Sequence, residues 1–168
     1  MTYSVFLSST FGDFNEERNR LIETIPYIDL HVNSATRKGR SKFQTLEAHL
    51  HHWIDNSDAV VLLIGLRYGS TGDDGVSWTE KEIHYALNSG KDVFCYIREH
   101  PEINMTNFQI DERLLYFINW VERIIPVVPR YDYGQCCILT AMVIRDLDRW
   151  ARDRRADEGD TSYINSFA

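Results

Sequence analysis

The run Ala59-Val60-Val61-Leu62-Leu63-Ile64 admits few structures. It is too short to be a helix in its own right, is partly β-branched and offers no polar side chain to water, so it reads as a strand covered on both faces. Such a strand belongs inside a parallel sheet layered between helices. The residues that follow agree with this. Gly65, Gly69, Gly72 and Gly75 form a loop free to take positive φ, Asp73-Asp74-Gly75 carries turn chemistry, and a helical pattern begins at Ser77.

The start of that helix separates its two acids. Ser77-Trp78-Thr79-Glu80 reads as a capping box, with Ser77 accepting from the Glu80 N–H and Glu80 reaching back to the Ser77 N–H. Glu80 therefore has a structural task. Glu82 has none within its own segment, lies one turn beyond Trp78 near the mouth of the preceding strand, and is the leading functional candidate.

The rest of the chain supplies four more strand patterns. Residues 3–8 form the first, with Ser8, Ser9 and Thr10 as its polar exit, and Asp13-Phe14-Asn15-Glu16 reads as a second capping box opening a helix with Phe14, Leu21, Ile22 and Ile25 inward. Pro26 stops that helix, and Ile28–Val32 gives a second, less apolar strand suited to a sheet edge. Residues 33–42 are polar and gather Arg37, Lys38, Arg40 and Lys42, either as a solvated loop or as a surface for phosphates or a neighbouring subunit. Ser41 and Gln44 form a third capping box before a helix carrying Phe43, Leu46, Leu50, Trp53 and Ile54. Its His49, His51 and His52 lack an H-E-x-x-H arrangement and nearby cysteines, so they read as surface histidines and no metal is expected.

Gly90 closes the Glu82 helix as a C-cap, and Asp92–Ile97 is a fourth strand containing Cys95. After the loop at 98–107, a helix over about 109–122 directs Ile110, Leu114, Phe117, Ile118 and Val121 inward. Ile124–Val128 is the fifth strand candidate, placed at an edge by Pro126 and Pro129. A final helix over about 134–154 carries Ile138, Leu139, Met142, Val143, Leu147, Trp150 and Ala151 on one stripe. One α/β domain over 1–154 is expected, with 155–168 a frayed tail that Tyr163, Ile164 or Phe167 could dock.

Five strands alternating with helices call for a doubly wound parallel sheet with right-handed crossovers. The most apolar strands belong inside, which gives the order 2-1-3-4-5 and a ligand crevice at the switch point between strands one and three, where Ser8–Asp13 meets Arg67–Glu82. No G-x-G-x-x-G follows the first strand, and neither a G-x-x-x-x-G-K-[ST] loop nor a G-x-S-x-G elbow occurs. A net charge of −7 argues against general nucleic-acid binding. Cys95, Cys136 and Cys137 form no C-x-x-C pair and suit a reducing compartment as buried thiols. The sequence shows neither a membrane-length apolar run nor a leader pattern after Met1, so a cytoplasmic protein without membrane contact is expected.

Two segments together resemble a known family. V-F-L-S-S-T-F-G-D-F-N-E-E-R, and S-D-A-V-V-L-L-I-G-L-R-Y-G-S followed by S-W-T-E-K-E-I-H-Y-A-L, are similar to the bacterial TIR-like domain pattern FISST-x-x-D-L-x-x-E-R, G-x-R-Y-G and S-x-T-x-x-E. The resemblance covers about the first hundred residues. It implies a flavodoxin-like fold and, as in the TIR NADases of Thoeris-type antiphage defence, cleavage of the nicotinamide–ribose bond of NAD to ADP-ribose or a cyclised product. NAD is then a substrate, and no cofactor is implied. By the same resemblance Glu82 takes the place of the catalytic glutamate, with Thr79 where the family has cysteine, and Tyr68 matches the tyrosine of the preceding loop. Ser8, Ser9, Thr10, Phe11 and Asp13 would line the substrate, with Arg67 or the Arg37, Lys38 and Arg40 loop near its pyrophosphate and Trp78, Tyr68 or Phe11 stacked on a ring. A separate effector protein reading the nucleotide product, and a homo-oligomer formed on activation, are the partners implied. Two alternatives stand beside this: a non-catalytic scaffold that assembles with other defence proteins, and a nucleoside deoxyribosyltransferase-like enzyme, for which no D-x-G-x-x-x-E-x-G pattern is present.

Overall fold

Every residue of β3 (Ala59–Ile64) is buried, as its composition demands. A computed structural model, which describes residues 2–10, 12–33, 45–99, 111–132 and 134–159, sets this strand at the centre of a five-stranded sheet of order β2-β1-β3-β4-β5. The elements run β1 (Tyr3–Ser9), α1 (Asn15–Thr24), a 3-10 turn (Ile25–Ile28), β2 (Leu30–Asn33), α2 (Leu46–Asp55), β3, α3 (Trp78–Asn88), β4 (Asp92–Glu99), α4 (Glu112–Ile124), β5 (Arg130–Asp132) and α5 (Cys136–Asp157). All four ladders are parallel. This is the doubly wound α/β order that the apolarity of the strands predicts.

Alternation along the strands divides the core in two. Val5 and Leu7 of β1 and Val61 and Leu63 of β3 pack with Phe14, just before α1, with Leu21 of α1 and with Leu139, Val143 and Leu147 of α5. Phe6 of β1 and Val60, Leu62 and Ile64 of β3 face Leu50 and Ile54 of α2, Ile83 of α3, and Leu114, Phe117 and Val121 of α4. β2 pairs with β1 only from Tyr3 to Phe6, so Leu7, Ser8 and Ser9 project past it towards the carboxyl end of the sheet.

Several local expectations need correction. The fifth strand is Arg130–Asp132, not Ile124–Val128. Proline cannot donate to a ladder, and pairing begins only where the Pro129 carbonyl accepts from the Ile97 N–H. α1 starts at Asn15 without a side-chain cap, because Asp13 turns to the Arg67 segment instead of forming a capping box with Glu16. α2 is capped by Thr45, which accepts from the Ala48 N–H; Phe43 and the Ser41–Gln44 box lie outside the described residues. Ile22 and Ile138 are exposed rather than inward, at 37% and 47%. α5 continues three residues beyond Arg154 to Asp157, so the tail expected from 155 begins in helix; Tyr163, Ile164 and Phe167 lie outside the described residues, as does Ile110. His49 is buried, not a surface histidine, and Cys137 is exposed while Cys95 and Cys136 are buried. Gly90 takes φ 69° just after α3, with its N–H on the Leu87 carbonyl, as a C-terminal cap requires. No helix among the described residues is long and apolar enough to cross a membrane.

Candidate functional site

Adjacent serines at the end of β1 point to opposite faces of the sheet. Ser8 shares the face of Phe6 and meets α3, where its buried hydroxyl donates a hydrogen bond to the Glu82 carboxylate. Ser9 shares the face of Leu7 and meets α1, where its hydroxyl accepts from the Arg18 guanidinium at 2.8 Å. The same guanidinium donates to the Leu7 carbonyl at 3.1 Å, on the stretch of β1 that β2 no longer covers. A carboxylate and a cation thus converge from two helices on two successive residues at the carboxyl end of a central strand.

Glu82 is held there by the helix start. Ser77 is the N-cap of α3 and accepts from the Glu80 N–H at 3.1 Å, the forward half of the expected capping box. The return half is replaced, because the Glu80 carboxylate accepts from the Tyr68 hydroxyl at 2.6 Å. With the frame set by Ser77, Thr79, Glu82, Ile83 and Ala86 form the buried side of the helix. Glu82 itself is only 8% exposed. Removal from water pushes its acid up to about 7, against the opposing pull of the Ser8 hydrogen bond and the Arg18 charge. Burial likewise draws the Arg18 guanidinium below its ordinary range, and the Glu82 charge counters it.

A second buried pair lies beside the first. Arg98 at the end of β4 donates to Glu17 at 3.0 Å and to the Asp13 carbonyl at 2.7 Å, with its guanidinium carbon 4.4 Å from the Phe14 ring centre. Both charged side chains are nearly sealed from water. Asp13 accepts from the Arg67 N–H at 3.0 Å and pairs with the exposed Arg67 side chain at 3.3 Å, which ties the β1 exit to the glycine-rich loop. Gly65 makes that approach feasible, since a Cβ there would stand 2.8 Å from the Asp13 carboxylate and 3.0 Å from the Phe14 ring. Gly69 and Gly75 use the positive φ that the loop predicts, whereas Gly65 and Gly72 do not.

Among the described candidate residues, Ser8 hydrogen-bonds Glu82 directly. Ser9 belongs to the Arg18 side, and the Thr10 hydroxyl donates to the Arg67 carbonyl at 3.3 Å. Tyr68 is buried against Glu80, with Arg113 over its ring at 4.8 Å. Trp78 is half-buried beside the α3 start, with the Lys81 ammonium 4.8 Å from its ring and the Lys81–Asp74 pair at 2.8 Å. Phe11, Arg37, Lys38 and Arg40 lie outside the described residues. Glu17, Arg18 and Arg98 were not singled out by sequence reasoning. Their signal was nonetheless present for two of them: Glu17 and Arg18 fall between Phe14 and Leu21 at the inward spacing of α1, where a charge has to be partnered.

Comparisons with known proteins agree with this architecture. The family model DUF4062, described as a domain of unknown function, matches residues 4–123. No curated protein matches the chain. Among solved structures, the TIR domains of the activated Roq1 resistosome directly recognizing the pathogen effector XopQ are similar, with a TM-score of 0.57 and 13% identity over 86% of this chain and 99% of that one. The fold is TIR-like.

Proposed function

This chain belongs to the DUF4062 family, and we propose that its TIR-like domain is an NAD-consuming enzyme that cleaves the nicotinamide–ribose bond, with Glu82 as the catalytic carboxylate. The observation that carries this reading is a nearly buried glutamate hydrogen-bonded to Ser8 at the carboxyl end of β1, next to β3, with its acid pushed up to about 7. That is the switch point of the sheet, where doubly wound folds bind ligands.

The chemistry asks little of the protein. As the C1′–N bond of NAD breaks, the positively charged pyridinium leaves as neutral nicotinamide with the bonding electrons, so no general acid is required. Positive charge develops on the ribosyl centre, and an ionised carboxylate beside it stabilises the oxocarbenium-like transition state. Water then adds to C1′ and releases a proton, giving ADP-ribose; attack by an adenine nitrogen instead gives a cyclic product. In the resting arrangement the Ser8 hydroxyl occupies the Glu82 carboxylate, and a ribose hydroxyl entering the site takes over that hydrogen bond. Arg67, 68% exposed in its side chain and paired with Asp13, is available to a pyrophosphate at the loop rim. In this reading the product acts as a diffusible signal to a separate effector in bacterial antiphage defence, and activation proceeds through assembly of several copies.

The scaffold reading draws on one observation of its own, the 8% exposure of Glu82, which would suit a carboxylate serving only to join α3 to β1. Incubation with NAD, with and without an activating phage, separates the two. The activated wild type releases nicotinamide, measured by chromatography, and Glu82→Gln does not. Release at equal rates by both proteins rules out Glu82 as catalyst, and no release by the activated wild type favours the scaffold.

A further inference from the structure

The serine pair at the end of β1 has a second partner, on the far face of the sheet from Glu82. We infer that Arg18 is a positioning residue for Glu82: by clamping Leu7 and Ser9 it fixes the β1 exit so that the intervening Ser8 presents its hydroxyl to α3, and it supplies the positive charge that makes a carboxylate tenable there. This deepens the NAD-cleaving reading and depends on it only for its bearing on turnover.

The geometry leaves the clamp little freedom. The guanidinium holds a backbone oxygen and a side-chain oxygen two residues apart on one strand, at 3.1 and 2.8 Å, and so fixes the orientation of that strand end as well as its position. Strand alternation then dictates where Ser8 points. Arg18 is 6% exposed, so its charge is little screened by water. Its two acceptors on β1 are neutral oxygens, and its positive charge also acts on the buried Glu82 carboxylate and opposes the effect of burial there.

Other charges around α3 are engaged elsewhere. On α3, Glu80 accepts from Tyr68 and stands 3.8 Å from His84. On α2, His51 stacks on Tyr85, Asp55 accepts from the Tyr85 hydroxyl, and His49 stands edge-on to Trp53. On β4, Arg98 pairs with Glu17, Glu99 with Arg130 and Asp92 with Arg154, while Tyr96 donates to Asp146 and Cys95 is a buried neutral thiol. β1 presents Ser8, and β3 presents only apolar side chains. Among the described residues, Arg18 and Ser8 are the groups that oppose the burial of Glu82.

The test follows the Glu82 carboxyl carbon by NMR across pH 5 to 9 in otherwise unmodified protein, assigned by its loss in Glu82→Gln, without NAD. In the wild type it titrates near 7. In Arg18→Met the midpoint rises by about one pH unit or more, and Arg18→Lys, which keeps the charge, returns it towards the wild-type value. A midpoint in Arg18→Met equal to that of the wild type overturns the assignment. So does a rise in Arg18→Met that Arg18→Lys fails to reverse. If Arg18→Met does not fold, Ser9→Ala removes one of the two acceptors and is expected to raise the midpoint by releasing the guanidinium; an unchanged midpoint there is the overturning result. Because nicotinamide release does not enter this measurement, failure of the NAD-cleaving reading leaves it intact, and its own failure leaves that reading standing.

Discussion

Replacing Glu82 by glutamine should stabilise the protein at alkaline pH and leave it unchanged at acid pH. The ordinary value for a glutamate is 4.5, and the folded protein holds Glu82 up to about 7, chiefly through burial. Below 4.5 the folded and unfolded states both carry the proton, and the group contributes no pH dependence. Between 4.5 and 7 the unfolded chain ionises while the folded one does not, so stability falls as pH rises. Above 7 both are ionised and the penalty is complete. At 1.36 kcal/mol for each pH unit of displacement, the gap amounts to roughly 3 kcal/mol. Glutamine has nearly the same shape, can still accept from Ser8 and does not titrate. Unfolding midpoints of wild type and Glu82→Gln should therefore coincide near pH 4 and separate by roughly 6 to 12 °C at pH 8, given about 2 to 4 °C per kcal/mol for a chain of this size. Calorimetry at a series of pH values reads the difference directly, and every other titrating group cancels from it. A constant offset from pH 4 to pH 8, or a wild type that gains on the variant as pH rises, would refute the argument that this carboxylate is desolvated at the end of β1.

Two further outcomes concern the frame around the site. Glu17→Leu removes the carboxylate that stands 3.0 Å from the buried Arg98 and should cost about 3 to 5 kcal/mol in urea unfolding, with much of the loss recovered when Arg98→Met is added. A loss below about 1 kcal/mol for the single variant would mean that water reaches the pair. Gly65→Ala forces a methyl group to within 3.0 Å of Phe14 and closer still to Asp13, and should destabilise by about 1 to 3 kcal/mol, read as a lowered thermal midpoint. An unchanged midpoint would show that the β1 exit and the glycine-rich loop do not pack as closely as Asp13 and Arg67 indicate.

What sequence could reveal about this domain follows from how local each cause is. The burial of Ala59–Ile64 is written in the segment itself, and the order of the strands follows from comparing their apolarity, so the sheet was legible. The Ser77 cap was legible because its acceptor and donor are three residues apart. Where a side chain had a competing partner far away in the chain, local rules failed. Asp13 is 54 residues from Arg67 and prefers it to the head of α1; Glu80 turns from the Ser77 N–H to Tyr68. The fifth strand was placed among its prolines because the apolar run lay there, yet the ladder forms on Arg130–Asp132, whose N–H groups are free to donate. Glu17 and Arg18 were legible only as charges on an inward face, and their partners on β1 and β4 lie beyond any local pattern.

The pH argument bears on which function the site serves. A residue kept only to join α3 to β1 could be glutamine, which makes the same contact to Ser8 without the roughly 3 kcal/mol that a desolvated carboxylate costs at neutral pH. Such costs in folded proteins gather at sites where the charge itself has a use. Here the charge is partly supported by Arg18, across a serine pair whose two hydroxyls divide the acid from the base between opposite faces of the sheet. A support of that kind keeps the carboxylate close to ionisation at physiological pH while excluding most water from it. Stabilising a developing positive charge requires both conditions: an ionised group, and surroundings of low enough dielectric for its field to be felt. The physical features that make Glu82 costly as a structural residue are the ones that the proposed electrostatic role requires. If the acid and base were instead independent, removing Arg18 would leave the Glu82 titration where it is, and the buried carboxylate would be merely an expensive strut.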